Sequence, residues 1–179
     1  MRDPYLYPDS EVLKNLADIQ EEQILKDMEA DYTLYRLSEI VTDANWMKFD
    51  FDSLCEMHYH IFQDIYEWAG RPRIINIEKA EAVLGELSIE YSDCFDIKRD
   101  AVLVLSEMNA FHWRTAKFSQ VVEKFADCMA RLWKVHPYRE GNTRTIVTFC
   151  SMFIEAQGIY IESDLFKDNA SYMRDALVA

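Results

Sequence analysis

A chain of 179 residues, half of them hydrophobic and 13% aromatic, can bury a sizeable core and is not a disordered segment. Its net charge of −13 argues against nucleic acid or an anionic membrane surface as a partner, because phosphate would be repelled. No apolar run approaches the roughly 20 residues a membrane span needs, and Met1-Arg2-Asp3-Pro4-Tyr5 has no signal core, so the reading is of a cytoplasmic protein.

With only four glycines and four prolines, long helices should dominate. Ser10 is placed to cap a short helix over 11–16, and a longer helix is expected over 21–40. Apolar residues Leu54, Met57, Ile61, Ile65 and Trp68 recur at helical spacing, which predicts a helix over 52–68 stopped by Gly70 and Pro72. The pattern then changes. Arg73-Ile74-Ile75-Asn76-Ile77 is β-branched, Gly85 turns the chain, and Leu87-Ser88-Ile89-Glu90-Tyr91 alternates, so a β-hairpin is expected over about 74–91. Helices resume over 97–109, 118–135, 143–157 and 169–179, the last with neither cap nor glycine, as if the chain continued beyond Ala179. The expectation is one all-α domain over 1–179 carrying a single hairpin. Cys55, Cys94, Cys128 and Cys150 have no CxxC or zinc spacing and read as buried free thiols. His58 and His60 lie on different helical faces and read as core or surface residues rather than as a metal pair.

The chemistry concentrates in His136-Pro137-Tyr138-Arg139-Glu140-Gly141-Asn142-Thr143-Arg144, just before an apolar-periodic helix. His136 is a candidate general base. Glu140 is a hard oxygen ligand of the kind Mg²⁺ takes. Gly141 and Asn142 let backbone N–H groups turn toward an anion, and the helix N-terminus favours phosphate. Arg144 offers a planar fork of donors to a phosphate oxygen.

This stretch resembles the signature of the Fic family, His-x-Phe-x-(Asp/Glu)-Gly-Asn-Gly-Arg-x-x-Arg. Tyr138 stands in place of Phe, Thr143 in place of the second Gly, and Val147 in place of the last Arg. Tyr7-Pro8, and the segment from Ile61 to Arg73, are similar to other parts of Fic domains. The resemblance implies a Fic-type helical bundle that transfers AMP from ATP-Mg²⁺ to a hydroxyl of a target protein. In that reading His136 is the base, Glu140 the metal ligand, and Gly141, Asn142, Thr143 and Arg144 the phosphate site. Ile74, Ile75, Asn76 and Ile77 would form the flap on which the target docks by strand pairing.

The departures keep two alternatives open: phosphoryl or other-nucleotide transfer on the same fold, and a catalytically silent domain that binds nucleotide or protein. Thr143 lacks the freedom of Gly at positive φ, and Val147 removes a cation that would meet a γ-phosphate. Many Fic proteins are inhibited by a helix bearing (Ser/Thr)-x-x-x-Glu-(Gly/Asn), and no Ser or Thr here starts that pattern. Control would then come from a separate small antitoxin-like chain, as in a toxin–antitoxin pair, from a helix beyond Ala179, or not at all. A second copy of the chain is a further compatible partner.

Overall fold

The computed structural model describes residues 3–40, 48–79, 84–85, 87–161 and 169–178. Six helices lie among them: α1 (Glu22–Ile40), α2 (Phe51–Phe62), α3 (Ile97–Ala110), α4 (Phe118–Val135), α5 (Asn142–Ala156) and α6 (Ala170–Val178). The mainly helical class is as the sequence predicts. Helix α2 is central and packs on α1, α3 and α5; α4 packs on α3, α5 and α6.

Local sequence explains these elements. Asp50 caps α2 by accepting from the Ser53 N–H at 2.9 Å. Leu54, Met57, Ile61 and Phe62 then fall on one wholly buried face. Each such side chain contributes about 1.5–3 kcal/mol on burial. Helix α4 turns Cys128, Met129, Leu132 and Trp133 inward, and α3 turns Ala101, Val104, Leu105 and Met108. Phe149 and Phe153 of α5 meet Phe49 edge-on, with centroids 5.4 and 5.1 Å apart.

Three expectations need correcting. Residues 11–16 are not a helix. Leu6 and Leu13 form an antiparallel bridge, the Ser10 hydroxyl accepts from the Val12 N–H at 3.0 Å, and the Lys14 N–H donates to the Tyr5 carbonyl at 2.8 Å. A helix of one to two turns cannot compete with these bonds. Helix α2 ends at Phe62 rather than Trp68. The Ile65 N–H donates to the Phe62 carbonyl and the Ile65 carbonyl is taken by the Leu16 N–H, so tight turns replace the helix while Ile65 stays buried. Periodicity alone cannot separate these two ways of burying the same side chain.

Third, the described parts of 74–91 carry no named strand. Two irregular arms, 74–79 and 87–91, are joined where the Lys79 N–H donates to the Ser88 hydroxyl at 3.0 Å. Gly85, expected to turn the chain, does take a left-handed conformation (φ 64°), while residues 80–83 and 86 lie outside the described residues. Cys128 and Cys150 are buried, whereas Cys55 and Cys94 are only half-buried; all four are free. No helix among the described residues is long and apolar enough to cross a membrane.

Candidate active site

Helix α4 stops at His136, which takes a left-handed conformation (φ 49°, ψ 61°) and donates its N–H back to the Trp133 carbonyl at 3.0 Å. The reversal sends the chain under the flap and into α5. His136 is 3% exposed, and neither ring nitrogen has a hydrogen-bond partner. Its ring stacks on Tyr91 of the second flap arm, centroids 4.0 Å apart, and meets Trp133 edge-on. Burial, then the nearby Lys79 ammonium, push the imidazole well below its usual range despite the opposing pull of Glu140. It is therefore neutral at neutral pH, with a lone pair available.

Glu140 lies four residues further along the same loop. Its carboxylate accepts from Lys79 Nζ at 3.1 Å and from the Gly141 N–H at 3.0 Å. Burial alone would raise this carboxyl, but Lys79, the Gly141 amide and Arg144 outweigh it and hold it at about 2. Among the described residues no three His, Cys, Asp or Glu side chains cluster as a metal cage. A lone ionised carboxylate suits Mg²⁺, which is usually held by one or two carboxylates together with substrate phosphates and water.

Gly141 has φ 82°, and a Cβ there would fall 2.2 Å from Phe62 Cζ, so only glycine fits. Asn142 opens α5, and its buried side chain accepts from the Tyr138 N–H (2.9 Å) and donates to the Tyr138 carbonyl (2.8 Å). The side chain thus closes the loop, while the first-turn amides of α5, which have no intrahelical acceptor, face its N-terminal end. Arg144 projects from that turn. Its Nη1 donates to Thr33 Oγ1 at 2.9 Å, its Nη2 bonds Glu29, and its guanidinium lies over the Phe62 ring at 5.2 Å.

Two further residues hold this loop. His58 accepts from the Gly70 N–H through Nδ1 (2.8 Å), so its Nε2 carries the proton and donates to the Glu140 carbonyl at 3.0 Å. Burial drives its pKa down to about 3, keeping it neutral. The buried Arg73 donates Nε to the His136 carbonyl at 2.9 Å, Nη1 to the Ile75 carbonyl at 2.7 Å, and Nη2 to the Ser92 carbonyl. Sequence reading missed Arg73, Lys79, Tyr91 and Glu29 as parts of this site and took His58 only as a core or surface residue. The one local signal available was a charged residue, Arg73, beginning an otherwise β-branched run.

The sequence model of the Fic/DOC family matches residues 48–154, which span α2 through most of α5 and the whole of this loop. The chain belongs to the Fic/DOC family. It is 32% identical over 164 residues to "Probable protein adenylyltransferase y4lH" of Sinorhizobium fredii, covering 90% of this chain and 80% of that protein. It is 28% identical to protein adenylyltransferase VbhT of Bartonella schoenbuchensis, covering 90% of this chain but 33% of that longer protein. Among solved structures, the N-terminal Fic domain of a VirB-translocated Bep effector from Bartonella quintana superposes with a TM-score of 0.76 at 23% identity. That match covers 94% of this chain and 81% of the other. BepC of Bartonella tribocorum, solved with AMPPNP bound, gives 0.75 at 19% identity, covering 90% and 81%.

Against the Fic signature, each departure has a visible accommodation. Tyr138 is fully buried, stacks on His58 with centroids 3.7 Å apart, and places its hydroxyl beside the Cys55 thiol. Thr143 lies inside α5, away from the positive-φ positions, so it needs no glycine-like freedom. Its hydroxyl accepts from the Trp133 indole N–H at 2.9 Å and ties α5 to α4. Val147 packs half-buried against the core. In the segment expected to form the flap, Ile74 and Asn76 are exposed, and Ile75 and Ile77 are half-buried. Asn76 pins the first arm to the turn that follows the second by donating to Asp93 and accepting from the Cys94 N–H, each at 2.8 Å. Beside them lies an open groove of about 530 Å³ bordered by Asp3, Cys94, Phe95 and Arg139.

Proposed function

We propose that this chain is a protein adenylyltransferase that transfers AMP from ATP to a hydroxyl side chain of a target protein. The observation that carries the proposal is His136: a buried, neutral imidazole with no protein partner on either ring nitrogen, placed between the flap and the N-terminus of α5. The names of the two adenylyltransferase relatives support the same reading.

In this reading a target segment docks on flap residues Ile74–Ile77, of which Ile74 and Asn76 are exposed, and on the adjoining groove, bringing a Ser, Thr or Tyr hydroxyl to His136. His136 takes the hydroxyl proton as the oxygen attacks the α-phosphorus of ATP. The bond from that phosphorus to the bridging oxygen breaks, and pyrophosphate leaves. Positioned base catalysis of this kind contributes about 10²–10⁴-fold. The first-turn amides of α5 and Arg144 hold the phosphates. Glu140 would hold Mg²⁺, which when bound would neutralise charge on the phosphate oxygens. Four free thiols suit a reducing, cytoplasmic setting.

The test is to incubate the purified chain with Mg²⁺ and each nucleoside triphosphate in a cell lysate, beside His136→Ala, and read added mass on peptides. AMP addition that vanishes in His136→Ala is expected. AMP addition by the variant at the wild-type rate would refute the base role. Added phosphate in place of AMP would assign phosphotransfer to the same fold, the reading that Thr143 and Val147 keep open.

A further inference from the structure

The inward face of α1 carries two polar side chains where simple packing would take apolar ones. Leu25, Glu29, Thr33 and Ile40 are its buried residues, and Glu29 and Thr33, four apart, lie on the same face. Both reach Arg144, across the core in α5.

We infer that Glu29 and Thr33 are positioning residues for Arg144, so that α1 takes part in nucleotide recognition. The inference rests on the reading of Arg144 as a phosphate ligand. The bonds form a directional chain. The Thr33 hydroxyl donates to the Glu29 backbone carbonyl at 2.7 Å, which leaves its oxygen lone pairs to accept from Arg144 Nη1 at 2.9 Å. One Glu29 carboxylate oxygen takes Arg144 Nη2, and the other takes the Tyr66 hydroxyl. The Phe62 ring supports the guanidinium face at 5.2 Å. The plane and the reach of the guanidinium are thereby set from three sides before any ligand arrives.

Glu29 does not act as a competitor that phosphate must displace. A guanidinium carries five N–H donors, and these bonds use two. The Arg144 side chain is 37% exposed, so its other edge faces outward, whereas the Glu29 side chain is 12% exposed. Withdrawing Arg144 would strand a buried carboxylate with one phenol hydroxyl, which is strongly unfavourable. Phosphate binds at the open edge with the α1 bonds intact, and the fixed orientation is what makes a directional contact effective.

The test measures binding of ATP, ADP and AMP by titration calorimetry to the wild-type chain and to Glu29→Gln, Thr33→Val, Thr33→Ser and Arg144→Ala, with thermal unfolding as a check on folding. Glu29→Gln and Thr33→Val should each weaken ADP and ATP about tenfold, the loss of one charge-assisted bond. AMP, lacking the β-phosphate, should change less than about twofold. Thr33→Ser, which keeps the hydroxyl, should bind like wild type. A merely structural role would weaken all three nucleotides alike and would overturn the inference. Tighter ATP binding by Glu29→Gln would overturn it too, by making Glu29 a competitor. Weakening by Arg144→Ala alone would refute the role of α1 and leave the phosphate reading standing. Unchanged ATP affinity in Arg144→Ala would remove that reading and the inference with it. Should Glu29→Gln fail to fold, the Thr33 pair decides alone.

Discussion

Replacing Gly141 by Ala is the sharpest single probe of the loop. Its φ of 82° places any Cβ 2.2 Å from Phe62 Cζ and 2.3 Å from Phe62 Cε2. Ordinary carbon contacts begin near ~3.5 Å, so the ring or the loop must give by about 1.3 Å (3.5 − 2.2). Phe62 has little room to give. It is wholly buried, stacks on His58 at 4.7 Å, neighbours Tyr66, and carries the Arg144 guanidinium on its face. The left-handed conformation costs a residue with a Cβ about 1–2 kcal/mol. Overpacking adds about 1–3 kcal/mol. Gly141→Ala should therefore lose about 2–5 kcal/mol in equilibrium urea unfolding. Adding Phe62→Leu should return the packing share and leave the backbone share. A loss below about 1 kcal/mol in the single variant would refute the argument, since the two terms together exceed it even at their lower limits.

His58 makes stability depend on pH. Its folded pKa is about 3, against about 6.5 in an unfolded chain, so below 6.5 the unfolded state binds more protons. That stabilisation is complete above about pH 6.5 and falls toward pH 3 by up to about 1.4 kcal/mol per unit. His136 is lowered in the same direction and adds to the slope. Unfolding free energies between pH 7 and 5 should fall less steeply in His58→Gln, and an identical slope would contradict the assignment. Arg73→Met strands the carbonyls of His136, Ile75 and Ser92, and should cost at least about 3 kcal/mol in urea unfolding. A cost under about 1 kcal/mol would mean those carbonyls find other donors. Lys79→Met should let the Glu140 carboxyl climb from about 2 toward the ordinary carboxylate range, as followed by carbon-detected NMR titration. No movement would show that Lys79 does not face Glu140 in solution.

Helices α4 and α5 were legible almost to the residue because strong punctuation separates them: Pro137 follows one and Gly141 precedes the other. The motif loop was legible for the same reason, since its residue types are rare in that order. The scaffold behind it was not. His58 reads only as a core or surface residue, and nothing in the pattern of α1 singles out Glu29 or Thr33; a polar side chain that faces inward has a meaning only once its partner is known. Those partners lie 82, 115 and 111 residues away. The flap was read as a ladder because β-branched runs imitate a strand, yet its described arms are organised by Arg73, Asn76 and the Lys79–Ser88 bond. The first segment failed in the opposite sense, because one cap residue was read as a helix start where Ser10 closes a turn.

Arg73 has a consequence for altering which protein is modified. The same guanidinium grips the carbonyl of the histidine and the carbonyls at the roots of both flap arms, so the proposed docking face and the imidazole are ruled off a common origin. Segments 74–79 and 87–91 can in principle be exchanged for those of another family member to retarget the protein. Such a graft keeps its aim only if residues 73 and 92 are left in place, because the distance from guest segment to base is set there and not in the segment itself.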